Sequence, residues 1–269
     1  MSQQNAAFTG SIPHEYDQRL GPIVFEDFAD RLAVRVVNHH PSSVLELAAG
    51  TGIVTCRLRE RLPPTVEIVA TDLNADMLAV ARTKFAPDAA VAFRTADAMA
   101  LPFKDGRFSL VACQFGVMFF PDLTESLKEA RRVLEPGGRY LFSVWDSHAF
   151  NPFARIAHKV AGDFFPDDPP QFYLAPFHLH AIDPVKASLL EAGFTDVTIH
   201  VDHLEKPVPS AADFACGMIH GNPLGEIRAR GGVDPDVVVE AVASALRAEF
   251  GEDPITVPLQ TICYDVRRS

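Results

Sequence analysis

Val44-Leu45-Glu46-Leu47-Ala48-Ala49-Gly50-Thr51-Gly52 is an apolar run carrying one acid, followed by small residues and two glycines, and an apolar helical pattern begins at Ile53. This order reads as a buried parallel strand feeding a tight turn and the N-terminus of a helix. Small side chains let backbone N–H groups come close to a ligand, and glycine takes φ > 0 turns that other residues avoid. Twenty residues past Gly52, a second strand, Glu67–Thr71, ends in Asp72. A carboxylate there can accept from both hydroxyls of a ribose. The nucleotide half of a cofactor is expected at this place.

Working outward, the spacing predicts a loose segment up to Pro13 and a helix from Leu20 to Asn38, with Val24, Phe28, Leu32 and Val36 recurring every four residues. Strands follow at 43–47, 67–72, 91–95, 108–114 and 139–145, with helices at 53–62, 75–85 and 122–134 between them. Asn74 or Asp72 can cap the second of these helices. Such alternation means an α/β fold with a doubly wound, mostly parallel sheet. Asp183-Pro184 starts a further helix that Gly193 closes. Strands at 195–204 and 256–266 complete seven, the last expected antiparallel. The whole chain reads as a single domain, its core 20–147, 183–206 and 255–269. Two helical inserts, 148–182 and 207–254, follow strands five and six. The first carries repeated prolines among Phe153, Phe164, Phe165, Phe172, Tyr173 and Phe177 and is expected to cover the carboxyl edge of the sheet.

Hydrophobic residues at 48% and charged residues at 22% of 269 fit an ordinary globular protein, and the net charge of −11 argues against a nucleic-acid partner. Cys56, Cys113, Cys216 and Cys263 are far apart without metal-ligand spacing, and no metal site is expected. The polar start lacks the order of a signal peptide, and no apolar run reaches the roughly 18 residues of a membrane span. A cytoplasmic protein is expected; a homodimer is left open.

Four segments now carry a resemblance. They are Leu45–Gly52, Ala70-Thr71-Asp72-Leu73-Asn74-Ala75-Asp76-Met77-Leu78, Thr95-Ala96-Asp97-Ala98-Met99-Ala100-Leu101-Pro102-Phe103, and Arg132-Val133-Leu134-Glu135-Pro136-Gly137-Gly138. In this order and spacing they resemble the core of class I S-adenosylmethionine-dependent methyltransferases of the ubiquinone/menaquinone-biosynthesis-like (type 11) branch. The resemblance implies a Rossmann-like fold and S-adenosylmethionine as cofactor. It implies that Gly50, Thr51 and Gly52, with Ala48 before them, back the methionine portion and that Asp72 holds the ribose. Leu73 and Met77 then flank the adenine, Asp97 accepts from its amino group beside Ala98, and Gln114 and Phe115 border the methyl group. The family usually has glycine where this chain has Ala48, which is harmless provided residue 48 keeps φ < 0.

Elementary chemistry agrees. S-adenosylmethionine carries a sulfonium and an ammonium, which welcome the Glu46 carboxylate, whereas a dinucleotide would bring a pyrophosphate that Glu46 repels. The third glycine of a dinucleotide fingerprint is Thr55 here. A nicotinamide-dependent oxidoreductase and a non-catalytic S-adenosylmethionine-binding regulator remain the rival readings. Bland roles also stay open: Glu46 as a cap or ion-pair partner, Asp72 as an N-cap, Asp97 as a solvated turn residue, Gln114 as a strand-end support.

The expected reaction is direct displacement on the methyl group, in which the enzyme aligns the reactants and removes water. The catalytic residue is not assigned. His14, Tyr16, His148, His178, His180 and His220 are candidate bases, and the resemblance implies that Tyr16 lies in a segment folding over the cofactor. After strand four, Cys113-Gln114-Phe115-Gly116 lacks the Asn/Asp-Pro-Pro-aromatic run of amino-methylating nucleic-acid enzymes. The aromatic insert suggests a small, largely apolar methyl acceptor.

Overall fold

In the computed structural model, which describes residues 12–221 and 224–269, the chain returns through a helix after β1, β2 and β4 and through an irregular loop after β3, and the first five strands run parallel. The strands are β1 Ser43–Glu46, β2 Glu67–Asp72, β3 Val91–Thr95, β4 Phe108–Gln114, β5 Leu134–Trp145, β6 Phe194–Val208 and β7 Ile255–Arg268. They form one sheet in the order β3-β2-β1-β4-β5-β7-β6. All pairs through β5 are parallel, and β7 enters antiparallel between β5 and β6. The strand order reverses between β1 and β4, and such a switch point opens a crevice at the strands' carboxyl ends.

Alternation along the strands makes two cores. Leu110, Ala112 and Leu141 face one side, against Leu32, Val36, Val54 and Leu58 of helices α2 (Glu26–Asn38) and α3 (Ile53–Arg61). Val111, Cys113, Tyr140 and Phe142 face the other. That second core is continuous with the inserted helices α6 (Pro152–Phe164), α8 (Ala211–His220) and α10 (Pro235–Phe250).

Several boundaries differ from the expectation. The predicted helix 20–38 is two pieces: a π-helical segment, Tyr16–Phe25, runs into α2. Pro22 lies inside that segment and has no N–H to give, and the wider turns pass around it. Pro13 does not end a loose stretch but sits in the first turn of α1 (Ile12–Glu15), where proline is tolerated; residues before 12 lie outside the described ones. Helix α4 is Ala75–Thr83, and α5 is Leu123–Val133 with the Asp122 carboxylate accepting from the Glu125 N–H at 3.0 Å. After α5 the chain enters β5 at Leu134 and not at 139, and Pro136-Gly137-Gly138 forms an irregularity in its pairing with β4. Helix α7 begins at Ile182, capped by Ala181, so Asp183 lies in its first turn and is not the cap.

Strands β6 and β7 run past the end of β5, and Pro207 and Pro258 fall in that two-stranded extension, where a missing N–H is affordable. Asn151, wholly buried, extends the lost ladder: its side-chain amide accepts from the Gln260 N–H at 3.0 Å and donates to the Gln260 carbonyl at 2.9 Å. That pair fixes where α6, and with it the first insert, leaves the sheet.

Candidate active site

The turn after β1 is held from within. The Ala49 N–H donates to the Thr71 carbonyl, the Gly52 N–H to the Ala49 carbonyl, and the Gly50 N–H to the Asp72 carboxylate, each at 2.8–2.9 Å. Three N–H groups of the turn are thus already used, which leaves it poor as a pyrophosphate cradle. Gly52 (φ +82°) must be glycine twice over, since a Cβ there would lie 2.9 Å from the Ala81 Cβ on α4. Ala48 has φ +49°. The condition that made alanine harmless here fails, and a cost on the order of 1 kcal/mol is stored in the turn.

Two carboxylates sit at this turn without a cationic partner among the described residues. Glu46, 2% exposed, accepts from the Thr55 hydroxyl at 2.6 Å. Burial pushes its pKa up to about 8 against the Thr55 hydrogen bond, and Asp72 adds to the rise. Asp72 is also raised by burial, opposed by the N–H groups of Asn74 and Gly50, which donate one to each oxygen. Both groups would be relieved by a bound cation.

Across the switch point, β4 ends in Gln114, whose amide donates to the Phe25 carbonyl at 3.1 Å. Phe115 follows at φ +54°. Next comes Gly116, where a Cβ would lie 2.5 Å from the Ala48 Cβ and 2.6 Å from the Cys113 Sγ. The two strained residues, 48 and 115, therefore belong to loops that interlock through one glycine.

Two chambers result. A cleft of about 350 Å³ is lined by Tyr16, Phe25, Glu46, Ala48, Ala49, Gly50, Thr51, Ile53, Val54, Gln114 and Phe115. Beside it lies an aromatic pocket of about 540 Å³, lined by Leu20, Val24, Met118, Phe119, Trp145, Phe153, Phe172, Tyr173, Pro176, Phe177 and Met218 besides the three residues it shares with the cleft, Tyr16, Phe25 and Phe115. Tyr16 and Phe25 stack at 4.7 Å between ring centres, and burial raises the Tyr16 phenol well above its ordinary range, with Asp72 and Asp17 adding to it. The π-helical segment that carries them is braced by Arg19, which binds Glu15 at 2.6 Å and Asp213 of α8 at 3.2 Å.

Of the residues singled out beforehand, Tyr16, Glu46, Ala48, Gly50, Thr51, Gln114 and Phe115 line the cleft. Gly52 and Asp72 shape it, and Met77 brings its Cε within 3.6 Å of where a Gly50 Cβ would stand. Leu73 is 60% exposed, and Leu73, Asp97 and Ala98 stand outside the cleft's lining. Asp97 is exposed and accepts from the Met99 N–H at 2.8 Å, the bond of a turn residue. The candidates His178 and His180 are exposed, each ring bonded to a carbonyl three residues back, and among the described residues no histidine lines either chamber. His148 instead bonds the Tyr173 carbonyl at 2.9 Å, and burial lowers its pKa. Phe25, Ala49, Ile53 and Val54 also line the cleft and are outside the set the sequence predicts. The periodicity of Phe25, Ile53 and Val54 marks them as core, and Gly21 of the π-helical segment stands over Ile53, whose Cδ1 lies 3.3 Å from where a Gly21 Cβ would be.

The fit to a cofactor can be tested on polar atoms. Thr51 Oγ1 and Gln114 Oε1 are buried and without a hydrogen-bond partner, and both residues line the cleft. Two uncompensated carboxylates plus two unsatisfied oxygens suit a ligand that is cationic and donates hydrogen bonds. Sheet order and cleft together define a class I methyltransferase architecture whose donor set fits S-adenosylmethionine. The chain belongs to the ubiE/COQ5 methyltransferase family, whose family model matches residues 9–166. It is 44% identical over 125 residues to a demethylmenaquinone methyltransferase of Deinococcus radiodurans, covering 46% of this chain and 52% of that one. It is 34% identical over 170 residues to the ubiquinone/menaquinone biosynthesis C-methyltransferase of Pseudomonas aeruginosa, covering 58% and 66%. The chain thus spans from about half to about two thirds of these relatives' length. In fold it is similar to the YcgJ protein of Bacillus subtilis, with a TM-score of 0.60 at 17% identity over 90% of this chain and 98% of that one.

Proposed function

We propose that this protein transfers a methyl group from S-adenosylmethionine to a ring carbon of a small, planar, largely apolar molecule of the quinol type. The observation that carries this reading is the common wall, Tyr16, Phe25 and Phe115, between an acidic cleft and an aromatic pocket. S-adenosylmethionine, when bound, supplies a methyl group already activated on a positive sulfonium, which leaves as a neutral thioether. In this reading Glu46 attracts the charged amino-acid end, and Thr51 and Gln114 use their unpaired oxygens there. Asp72 accepts from the ribose, Leu73 and Met77 flank the adenine, and Asp97 with Ala98 borders its far edge. Tyr16, Phe25 and Phe115 exclude water from the line of attack.

Among the described residues the acceptor pocket is lined by no histidine and no carboxylate. The Tyr173 hydroxyl is committed to the Met218 carbonyl at 2.7 Å, and the Tyr16 phenol is pushed the wrong way to accept a proton. The acceptor must therefore arrive electron-rich, as the ring of a hydroquinone does, and lose its ring proton to solvent after transfer. The inserts 148–182 and 207–254 act as the acceptor cap of a single domain. The net charge of −11 supports a small molecule rather than a nucleic acid, and four free cysteines support a cytoplasmic setting. Among the described residues no helix is long and apolar enough to cross a membrane.

The test is incubation with methyl-labelled S-adenosylmethionine and naphthalene-1,4-diol, read by mass spectrometry. A labelled ring-methyl product is expected. Cofactor binding with no labelled product from this diol or from a metabolite extract would favour a regulator. Tight NAD binding without S-adenosylmethionine binding would favour the oxidoreductase.

A further inference from the structure

Phe115 holds a backbone conformation that a bulky residue rarely adopts, φ +54°. Such strain persists only where the surroundings over-determine it, and those surroundings are visible. The Phe115 N–H donates to the Ser143 carbonyl of β5 at 3.0 Å. Gly116 beside it is wedged against Ala48 and Cys113. The Phe115 ring then lies flat on Trp145 at the end of β5, 4.3 Å between centres and 2° between planes. Phe28 of α2 meets both rings edge-on, at 6.0 Å and 5.6 Å. Three elements thus fix the plane of one stacked pair. Phe115 lines both chambers, whereas Trp145 lines only the aromatic one.

We infer that Phe115 is a positioning and specificity residue: stacked on Trp145, it forms a rigid flat partition that sets the plane in which the acceptor meets the cofactor, and so selects planar conjugated acceptors over puckered ones. A loosely packed wall of the same apolar area would accept both, since burial alone does not distinguish a flat ring from a saturated one of similar size. A strained backbone under the ring is what keeps the partition from following the ligand. The inference rests on the methyl-transfer reading, and its test separates the two.

Phe115→Leu keeps apolar bulk and removes the flat face; Phe115→Tyr keeps the face; Trp145→Leu removes the backing without touching the cleft. Calorimetric titration with naphthalene-1,4-diol and with its saturated counterpart, decahydronaphthalene-1,4-diol, needs no turnover. The wild-type protein is expected to bind the planar diol at least about tenfold more tightly, and Phe115→Leu and Trp145→Leu to lose most of that preference. In single-turnover methyl transfer at saturating S-adenosylmethionine, Phe115→Leu should fall about 10- to 100-fold, and Phe115→Tyr should restore the rate. Equal binding of the two diols by the wild type overturns the inference. So does a Phe115→Leu protein that keeps the preference, or one whose rate at saturating S-adenosylmethionine is unchanged. Absence of turnover in the wild type, with the planar preference intact, counts against the methyl-transfer reading and leaves the partition standing.

Discussion

The acidic cleft and the aromatic pocket share three side chains and little else. The cleft is made by backbone: a turn whose N–H groups bond Thr71, Ala49 and Asp72, and two glycines whose missing Cβ atoms let α4 and the β4 loop close in. The pocket is made by side chains delivered from the π-helical segment, the ends of β4 and β5, α6, the turn at Phe172–Phe177 and α8. A site built from backbone tolerates almost no change at its tight points. One built from many side chains can be re-cut piece by piece.

The largest effect should come where the cleft's backbone is tightest. Gly116→Ala sets a Cβ 2.5 Å from Ala48 and 2.6 Å from Cys113. Neither neighbour is the far end of a flexible chain, so the loops must part. Loss of about 1–3 kcal/mol of stability is expected, together with loss of S-adenosylmethionine binding, by thermal melting and calorimetry. Native melting with unchanged affinity would show that the loops do not interlock. By contrast Phe119→Leu, in the pocket wall, should melt near the wild type and change only acceptor affinity. Next in size is Asp72→Ala, which removes the acceptor of the Gly50 and Asn74 N–H groups and the expected ribose partner. Cofactor binding should weaken by about 1–3 kcal/mol, the range for a hydrogen bond to a charged group; an unchanged dissociation constant refutes the ribose assignment.

A smaller effect is electrostatic. With its pKa pushed up to about 8 by burial, Glu46 holds its proton at neutral pH, and a cation entering beside it drives the proton off. Affinity for S-adenosylmethionine should therefore rise with pH, by up to about tenfold per unit below 8, and level off above it. Calorimetry in buffers of different ionisation enthalpy should show close to one proton released per cofactor near pH 7. Glu46→Gln should abolish the release. The stability of the ligand-free protein carries the opposite sign. Glu46 binds its proton more tightly folded than unfolded, so its contribution is full below about 4.5 and is lost as pH rises through about 8. A pH-independent affinity would show that Glu46 does not face the charge.

The same contrast explains what could be read in the sequence. Strands β3 and β4 begin and end at the residues the sequence predicts; β4 is a nearly continuous apolar run, the mark of a central strand in a parallel sheet. The cleft was legible for a related reason: glycines and acids at strand tips are local marks of a backbone task. The π-helical segment was not, since a proline within a four-residue periodicity does not reveal which wider turn will carry the chain past it. Nor was the pocket. Phe153, Phe172 and Trp145 look alike in sequence whether they fill a core or line a cavity, and only the register of β7 with Asn151 decides where the insert stands. His178 and His180 are candidate bases by residue type alone, which cannot report that their rings turn back onto the carbonyls of Ala175 and Phe177.

The smallest effect concerns Ala48, where the resemblance implies a glycine. At φ +49° alanine costs about 1 kcal/mol relative to glycine in the folded state. Glycine in turn frees the unfolded chain by about 0.4–1 kcal/mol. The two nearly cancel, and Ala48 also packs its Cβ into the space over Gly116. Ala48→Gly should therefore shift thermal stability by less than about 1 kcal/mol while leaving the cleft open and S-adenosylmethionine affinity within about threefold of wild type. A much tighter cofactor complex in the variant would mean that the methyl group of Ala48 obstructs the ligand. A large loss of stability would mean instead that the contact over Gly116, and not the turn's own hydrogen bonds, holds the two loops of the cleft together.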